Sequence, residues 1–135
     1  MSTSQRTTGN WGEELAARHL VHEGYHLLER NWHAGHYEVD IIAERFGLLV
    51  FVEVKTRTHS SDEEAAEAVD HEKQGFLLAA ARNYLGRQDM DNLVRFDIIT
   101  ITGDAPPYHV VQTLDAFSAD SYARVEMLRK HKPRL

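Results

Sequence analysis

Asp40 and the triplet Glu53-Val54-Lys55 set two carboxylates and an amine on two neighbouring apolar stretches of the chain. Residues 48 to 55 read Leu-Leu-Val-Phe-Val-Glu-Val-Lys, and their continuous β-branched and aromatic content marks a strand buried on both faces. An ionised glutamate in such a strand costs on the order of several kcal/mol unless a cation or good hydrogen bonds compensate, so Glu53 requires a partner. Two carboxylates from adjacent strands, with the main-chain carbonyl of Val54 between Glu53 and Lys55, are hard oxygen donors of the kind that Mg²⁺ or Mn²⁺ prefers, water completing the shell. Lys55 beside them can orient or help deprotonate an attacking water and offset charge developing on a phosphate. The alternative for the same residues is a cross-strand ion pair between Asp40 and Lys55 that satisfies itself.

These side chains have to be positioned by the elements around them. Strand alternation puts Glu53 and Lys55 on one face with Val52 and Val54 on the other, and it groups Glu38 with Asp40 on the preceding segment, Tyr37 to Ala43. The Arg45-Phe46-Gly47 turn suggests a hairpin, which brings both pairs together where the strands fray. Upstream, Asn10 is the expected N-cap of a helix running to His22, with Glu13 and Glu14 in its first turn and Gly24 as its stop. Glu13 and Glu14 then read as acids that offset the helix dipole. A strand follows from Tyr25 to Trp32. The turn after it, His33 to His36, carries a His-x-x-His spacing that lacks the further ligands of a closed zinc site.

Downstream, the chain turns polar from Thr56 to Glu64, where Arg57 and His59 either reach a phosphate backbone or are solvated. Asp70 caps a predicted helix from His71 to about Leu85, whose core face is Phe76, Leu77, Ala80, Tyr84 and Leu85 and which Gly86 ends. Val94 to Ile101 is a strong strand, with Asp97 either an acid near the site, the partner of Arg95 in an edge-strand ion pair, or on an exposed face. Tyr108 to Leu114 is expected as a last edge strand. From Ala119 the tail is basic, and a Tyr122, Val125, Met127, Leu128 seam makes part of it helical. The order is α-β-β-β-α-β-β: an α/β fold with a mixed sheet flanked by helices.

With 135 residues the chain holds one domain, over 9 to 117, between a disordered N-terminus at 1 to 8 and a basic C-terminal tail at 118 to 135. It has no cysteine, no segment like a signal peptide and no apolar run long enough to span a membrane, so a cytoplasmic protein without a membrane partner is expected. The net charge of −6 runs against a nucleic-acid partner. The excess is local, with ten basic against nineteen acidic residues in 1 to 119 and five against two in 120 to 135.

Asp40 followed by Glu53-x-Lys55 resembles the acidic-x-Lys arrangement of the restriction-endonuclease-like nucleases. More specifically, the chain resembles the YraN family of bacterial proteins, which is similar to archaeal Holliday-junction resolvases. The resemblance rests on Gly12-Glu13 with Ala17 and Leu20, Gly24-Tyr25, Arg30-Asn31-Trp32, Glu38-Val39-Asp40-Ile41-Ile42-Ala43, Val50 to Arg57, Glu67-Ala68-Val69 with Lys73, and Arg95-Phe96-Asp97. It implies a restriction-endonuclease-like core and a nuclease-like site of Glu13, Asp40, Glu53 and Lys55, and it favours Glu13 over Glu14. Asp40, Glu53 and Val54 would then hold Mg²⁺ or Mn²⁺, while Arg57 and Lys73 are the candidate substrate contacts. The expected activity is divalent-metal-dependent hydrolysis of branched, nicked or single-stranded DNA, with a homodimer as the simplest way to place two sites on a junction. The alternative is a non-catalytic nucleic-acid-binding or protein-interaction module on the same fold. Two positions depart from the family pattern: Tyr37 stands where a glycine is usual, and the acidic loop Asp62-Glu63-Glu64 stands where an apolar-Gly pair is common.

Overall fold

The computed structural model describes residues 3 to 58 and 70 to 130. The expectations for His59, the acidic loop Asp62-Glu63-Glu64, the Glu67-Ala68-Val69 segment, Lys132 and Arg134 lie outside the described residues. The elements are α1 (Thr3–His22), β1 (His26–Ala34), β2 (Tyr37–Arg45), β3 (Leu48–Arg57), α2 (His71–Arg87), β4 (Val94–Thr102), β5 (His109–Phe117) and α3 (Ala119–Lys130). Five strands form one mixed sheet in the order β1-β2-β3-β4-β5, with β3 and β4 parallel and the other neighbours antiparallel.

The apolar run of β3 is explained by a helix on each side of it. Val50 and Val52 pack with Ala16, Ala17 and Leu20 of α1, whereas Leu49 and Phe51 pack with Leu77, Ala80, Ala81 and Tyr84 of α2. All four β3 side chains are at most 1% exposed, and each contributes about 1.5–3 kcal/mol of burial. The β2–β3 hairpin closes through a two-residue turn whose residues Phe46 and Gly47 both have positive φ, 52° and 81°, as a type I′ turn requires. Gly47 also receives the Asn92 side-chain N–H on its carbonyl at 2.8 Å.

Several boundaries differ from the sequence expectation. Helix α1 begins at Thr3, so Asn10 lies within it instead of capping it, and no acid falls in its first turn. The dipole-offsetting role expected for Glu13 and Glu14 therefore does not hold. His33 and Ala34 belong to β1, leaving a tight turn at Gly35 with φ 61°. Asp70 caps α2 as expected, its Oδ1 accepting from the Lys73 N–H at 2.8 Å, but the helix runs through Gly86 to Arg87. A glycine in a last helical turn is a weak stop when the preceding turns are anchored in a core. Phe76 is 38% exposed and packs at the rim against His36 and Tyr37, leaving the core face to Leu77, Ala80, Ala81 and Tyr84. The C-terminal seam is helical, yet Val125, Met127 and Leu128 are exposed. Tyr122 of that seam docks by stacking on His71 of α2 at 4.2 Å. No helix among the described residues is long and apolar enough to cross a membrane.

Candidate active site

The β2–β3 ladder pairs Ile41 with Val52 and stops there. Continued by one step it would set Asp40 opposite Glu53, and by a second Val39 opposite Val54. Instead the Val54 N–H donates to Oδ2 of Asp40 at 2.8 Å, so a side-chain carboxylate takes the place of the next ladder carbonyl and the strands part. Strict alternation along β2 fails at the same point, because Val39 and Ile42 pack in one core cluster while Ile41 packs in the other. The neighbouring strand is kinked at this level too. Asn31 has φ 50° and lies between Arg30 and Trp32, whose partners are Ile41 and Val39. Such local breaks re-aim a side chain out of a regular ladder. Since the N–H and C=O of one strand residue point to the same side, the Val54 carbonyl also faces the gap beside Asp40.

Two carboxylates face this gap, and the charges of Glu13 and Glu38 act on them through space. Burial first, and then the charge of Glu53, pushes the Asp40 carboxyl up to about 7; Glu13 and Glu38 add to the rise, and the Val54 amide opposes it. Glu53 is also raised, chiefly by burial, with Lys73 and Lys55 pulling it down and Glu38 and Glu13 pushing it up. Carboxylates raised by burial and by one another are what a cation would relieve. Glu53 is 13% exposed, its Oε2 receives no hydrogen bond, and the Lys73 Nζ stands 3.9 Å from that oxygen. Lys55 lies beside Thr100 in the β3–β4 register, and the buried Thr100 Oγ1 likewise has no hydrogen-bond partner. Among the described residues no ion pair joins Asp40 to Lys55; Asp40 is engaged by a backbone amide.

Glu13 arrives from the other layer because α1 crosses β3 closely. A Cβ added at Gly12 would lie 2.3 Å from Cγ2 of Thr56, so glycine is what lets the helix approach at this point. Trp11 anchors the same turn by stacking on Tyr108 at 4.4 Å. Glu14 points elsewhere, to Arg30 at 2.9 Å and Arg18 at 3.3 Å on the surface. Of the residues singled out from sequence, Glu13, Asp40, Glu53, Val54 and Lys55 come together, and Lys73 joins them.

Arg57 is 8% exposed, so the solvated reading of that residue is corrected. The ion pair expected between Asp97 and Arg95 is present, but it lies on the α1 side of an interior strand, neither in the gap nor on an edge. The His-x-x-His pair does not act together: His33 faces Glu38 at 3.9 Å and His36 packs on Tyr37 and Phe76. Sequence reasoning missed the Lys73–Glu53 contact. Its one signal was position, since a lysine in the first turn of a capped helix after the β3 crossover is carried toward the end of that strand.

The donor set suits a divalent cation. A buried carboxylate oxygen without a hydrogen bond, a second carboxylate and a main-chain carbonyl share one gap. Among the described residues no three His or acidic side chains form a metal cage, so such an ion would be held by two carboxylates, a carbonyl and water, as hard cations accept.

The model of uncharacterised protein family UPF0102 matches residues 12–101. A UPF0102 protein of Phocaeicola vulgatus is 39% identical over 109 residues, covering 81% of this chain and 90% of that protein. One from Parabacteroides distasonis is 40% identical over 115 residues, covering 85% and 95%. A third, from Oleidesulfovibrio alaskensis, is 44% identical over 98 residues and extends well beyond the match, which takes in 72% of this chain and 48% of that protein. The matched span runs from Gly12 to Ile101 and so contains the whole acidic gap together with both lysines, and over that span this chain belongs to UPF0102, the family of the YraN proteins whose motifs it carries.

Proposed function

We propose that the protein is a divalent-metal-dependent nuclease that hydrolyses DNA phosphodiester bonds. The observation that supports it best is the parting of β2 from β3 at Asp40, which leaves two raised carboxylates and the Val54 carbonyl around one gap with Lys55 on the same strand. Asp40 and Glu53 would hold Mg²⁺ or Mn²⁺ through their side-chain oxygens, with Val54 contributing its carbonyl. When bound, the cation supplies Lewis acidity at the phosphoryl oxygen and lowers the pKa of water. Lys55 orients the attacking water and balances negative charge as the phosphorus–oxygen bond to the leaving group breaks. Glu13, on the opposite layer, holds a water proton or completes the polar wall. The acidic balance of the chain makes DNA affinity depend on the cation and on these few amines.

A cleavage screen of branched, nicked and single-stranded DNA with Mg²⁺ and Mn²⁺ tests the reading. Lys55→Ala is expected to keep Mn²⁺ affinity and to lose about two or more orders of magnitude in the chemical step at saturating substrate. Glu53→Gln is expected to weaken metal binding and cleavage together. Wild-type protein that cuts none of these substrates with either metal would leave the binding-module reading as the better account.

A further inference from the structure

Glu53 has a resident counter-ion that the nuclease reading takes only as a substrate contact. Lys73 sits in the first turn of α2, its own N–H held by the Asp70 cap, and its Nζ stands 3.9 Å from Oε2 of Glu53. That distance is an ion pair without a hydrogen bond, and Oε2 is otherwise unpartnered. The lysine side chain is 38% exposed, so it can swing outward without unpacking the helix that carries it. Lys55 already acts on Glu53 from the same strand face.

We infer that Lys73 is an exchangeable counter-ion: it balances Glu53 in the metal-free site, is displaced when a divalent cation takes that carboxylate, and then contacts a substrate phosphate. The inference rests on the metal-dependent reading above. The carboxylate cannot be shared equally, because a cation seated on Glu53 repels an ammonium a few ångströms away. An ammonium freed at the mouth of the gap is a point charge of the kind that holds a phosphate. Metal loading and phosphate binding are thereby coupled through one side chain.

The test uses Lys73→Met, which keeps the stem and removes the charge. Calorimetric titration with Mn²⁺ is expected to show about five- to tenfold tighter binding than wild type, since the competing charge is gone. DNA affinity is then read by fluorescence anisotropy in Lys55→Ala protein, to prevent cutting, with and without Lys73→Met. With Mn²⁺, the added substitution is expected to weaken binding and to reduce the salt-dependence slope by about one. In EDTA it is expected to change neither, because there Lys73 is held by Glu53. Unchanged or weaker Mn²⁺ binding in Lys73→Met overturns the exchange while leaving the metal site intact. Equal losses of DNA affinity with and without Mn²⁺ overturn it in favour of a fixed phosphate contact. Absence of Mn²⁺ binding by wild type removes both the metal site and the exchange.

Discussion

Two acids sit inside apolar strands of one sheet, and their surroundings are opposite. Asp97 on β4 is 1% exposed and fully engaged: Arg95 donates to both its oxygens at 2.8 Å, the Gln112 side chain donates at 2.8 Å and the Asp115 backbone N–H at 3.0 Å. Arg95 is tied in turn to the Tyr25 hydroxyl at 2.6 Å, and Gln112 to His19 at 3.0 Å, so the network links β4, β5 and α1. Asp40 and Glu53 have one backbone amide between them, and Lys73 and Lys55 act on Glu53 without a hydrogen bond. A buried acid with all its partners is a structural joint. Buried acids lacking them store unfavourable energy that a ligand can release, and that difference separates the candidate site from the scaffold.

Breaking the satisfied network should cost the most. Asp97→Ala leaves the Arg95 guanidinium largely buried without its carboxylate, and a loss of about 3–5 kcal/mol in denaturant-derived stability is expected. Mn²⁺ affinity should not change, since Asp97 lies on the other side of the sheet. A smaller loss accompanied by weaker metal binding would show that the two regions are one.

Asp40→Asn should do the reverse. A carboxyl whose folded pKa is raised to about 7, from an unfolded value near 3.8, costs no stability below about pH 4. The penalty grows between pH 4 and 7 and is complete above 7. Metal-free wild type should therefore gain stability from this group as pH falls from 8 to 4, whereas Asp40→Asn should be flatter and, at pH 8, more stable by on the order of 1–3 kcal/mol. Thermal melts across that range with EDTA decide the matter. A destabilised Asp40→Asn at pH 8 would mean that the amide contact from Val54 outweighs the repulsion.

An effect no larger than that concerns how the helix carrying Glu13 is brought in. Gly12→Ala puts a methyl group against Thr56, and a cost of about 1–3 kcal/mol is expected. Thr56→Ser removes the obstructing Cγ2, so the double variant should recover part of that stability. Additive losses in this double-mutant cycle would show that the helix is not held close by this contact.

Much of the site was legible because its signals are local. The apolar run of β3, the turn at Phe46-Gly47 and the parity of Glu53 with Lys55 are short-range facts, and together they bring Asp40 beside Glu53 without any knowledge of the helices. The cap at Asp70 was legible for the same reason. The start of α1 was not, because a propensity-neutral polar segment carries no local stop that Asn10 could enforce. Phe76 was misplaced because helical spacing identifies an apolar face without saying where the sheet beneath it ends.

By itself, then, the sequence determined the order of the elements, the hairpin between β2 and β3 and the shared face of Glu53 and Lys55, since alternation, turn chemistry and hydrophobic runs act over a few residues. Tertiary structure alone decided which acids are satisfied. Asp97 and Asp40 look alike in sequence, each an acid inside an apolar strand, but the partners that distinguish them are Arg95 beside it and Gln112 and Asp115 on the next strand in one case, and a parted ladder in the other. Only the packing of α2 onto the sheet brings Lys73 to Glu53, and only the close crossing at Gly12 and Thr56 brings the turn of α1 that carries Glu13 down onto β3. Charge and solvation act through space, and sequence spacing does not measure that distance.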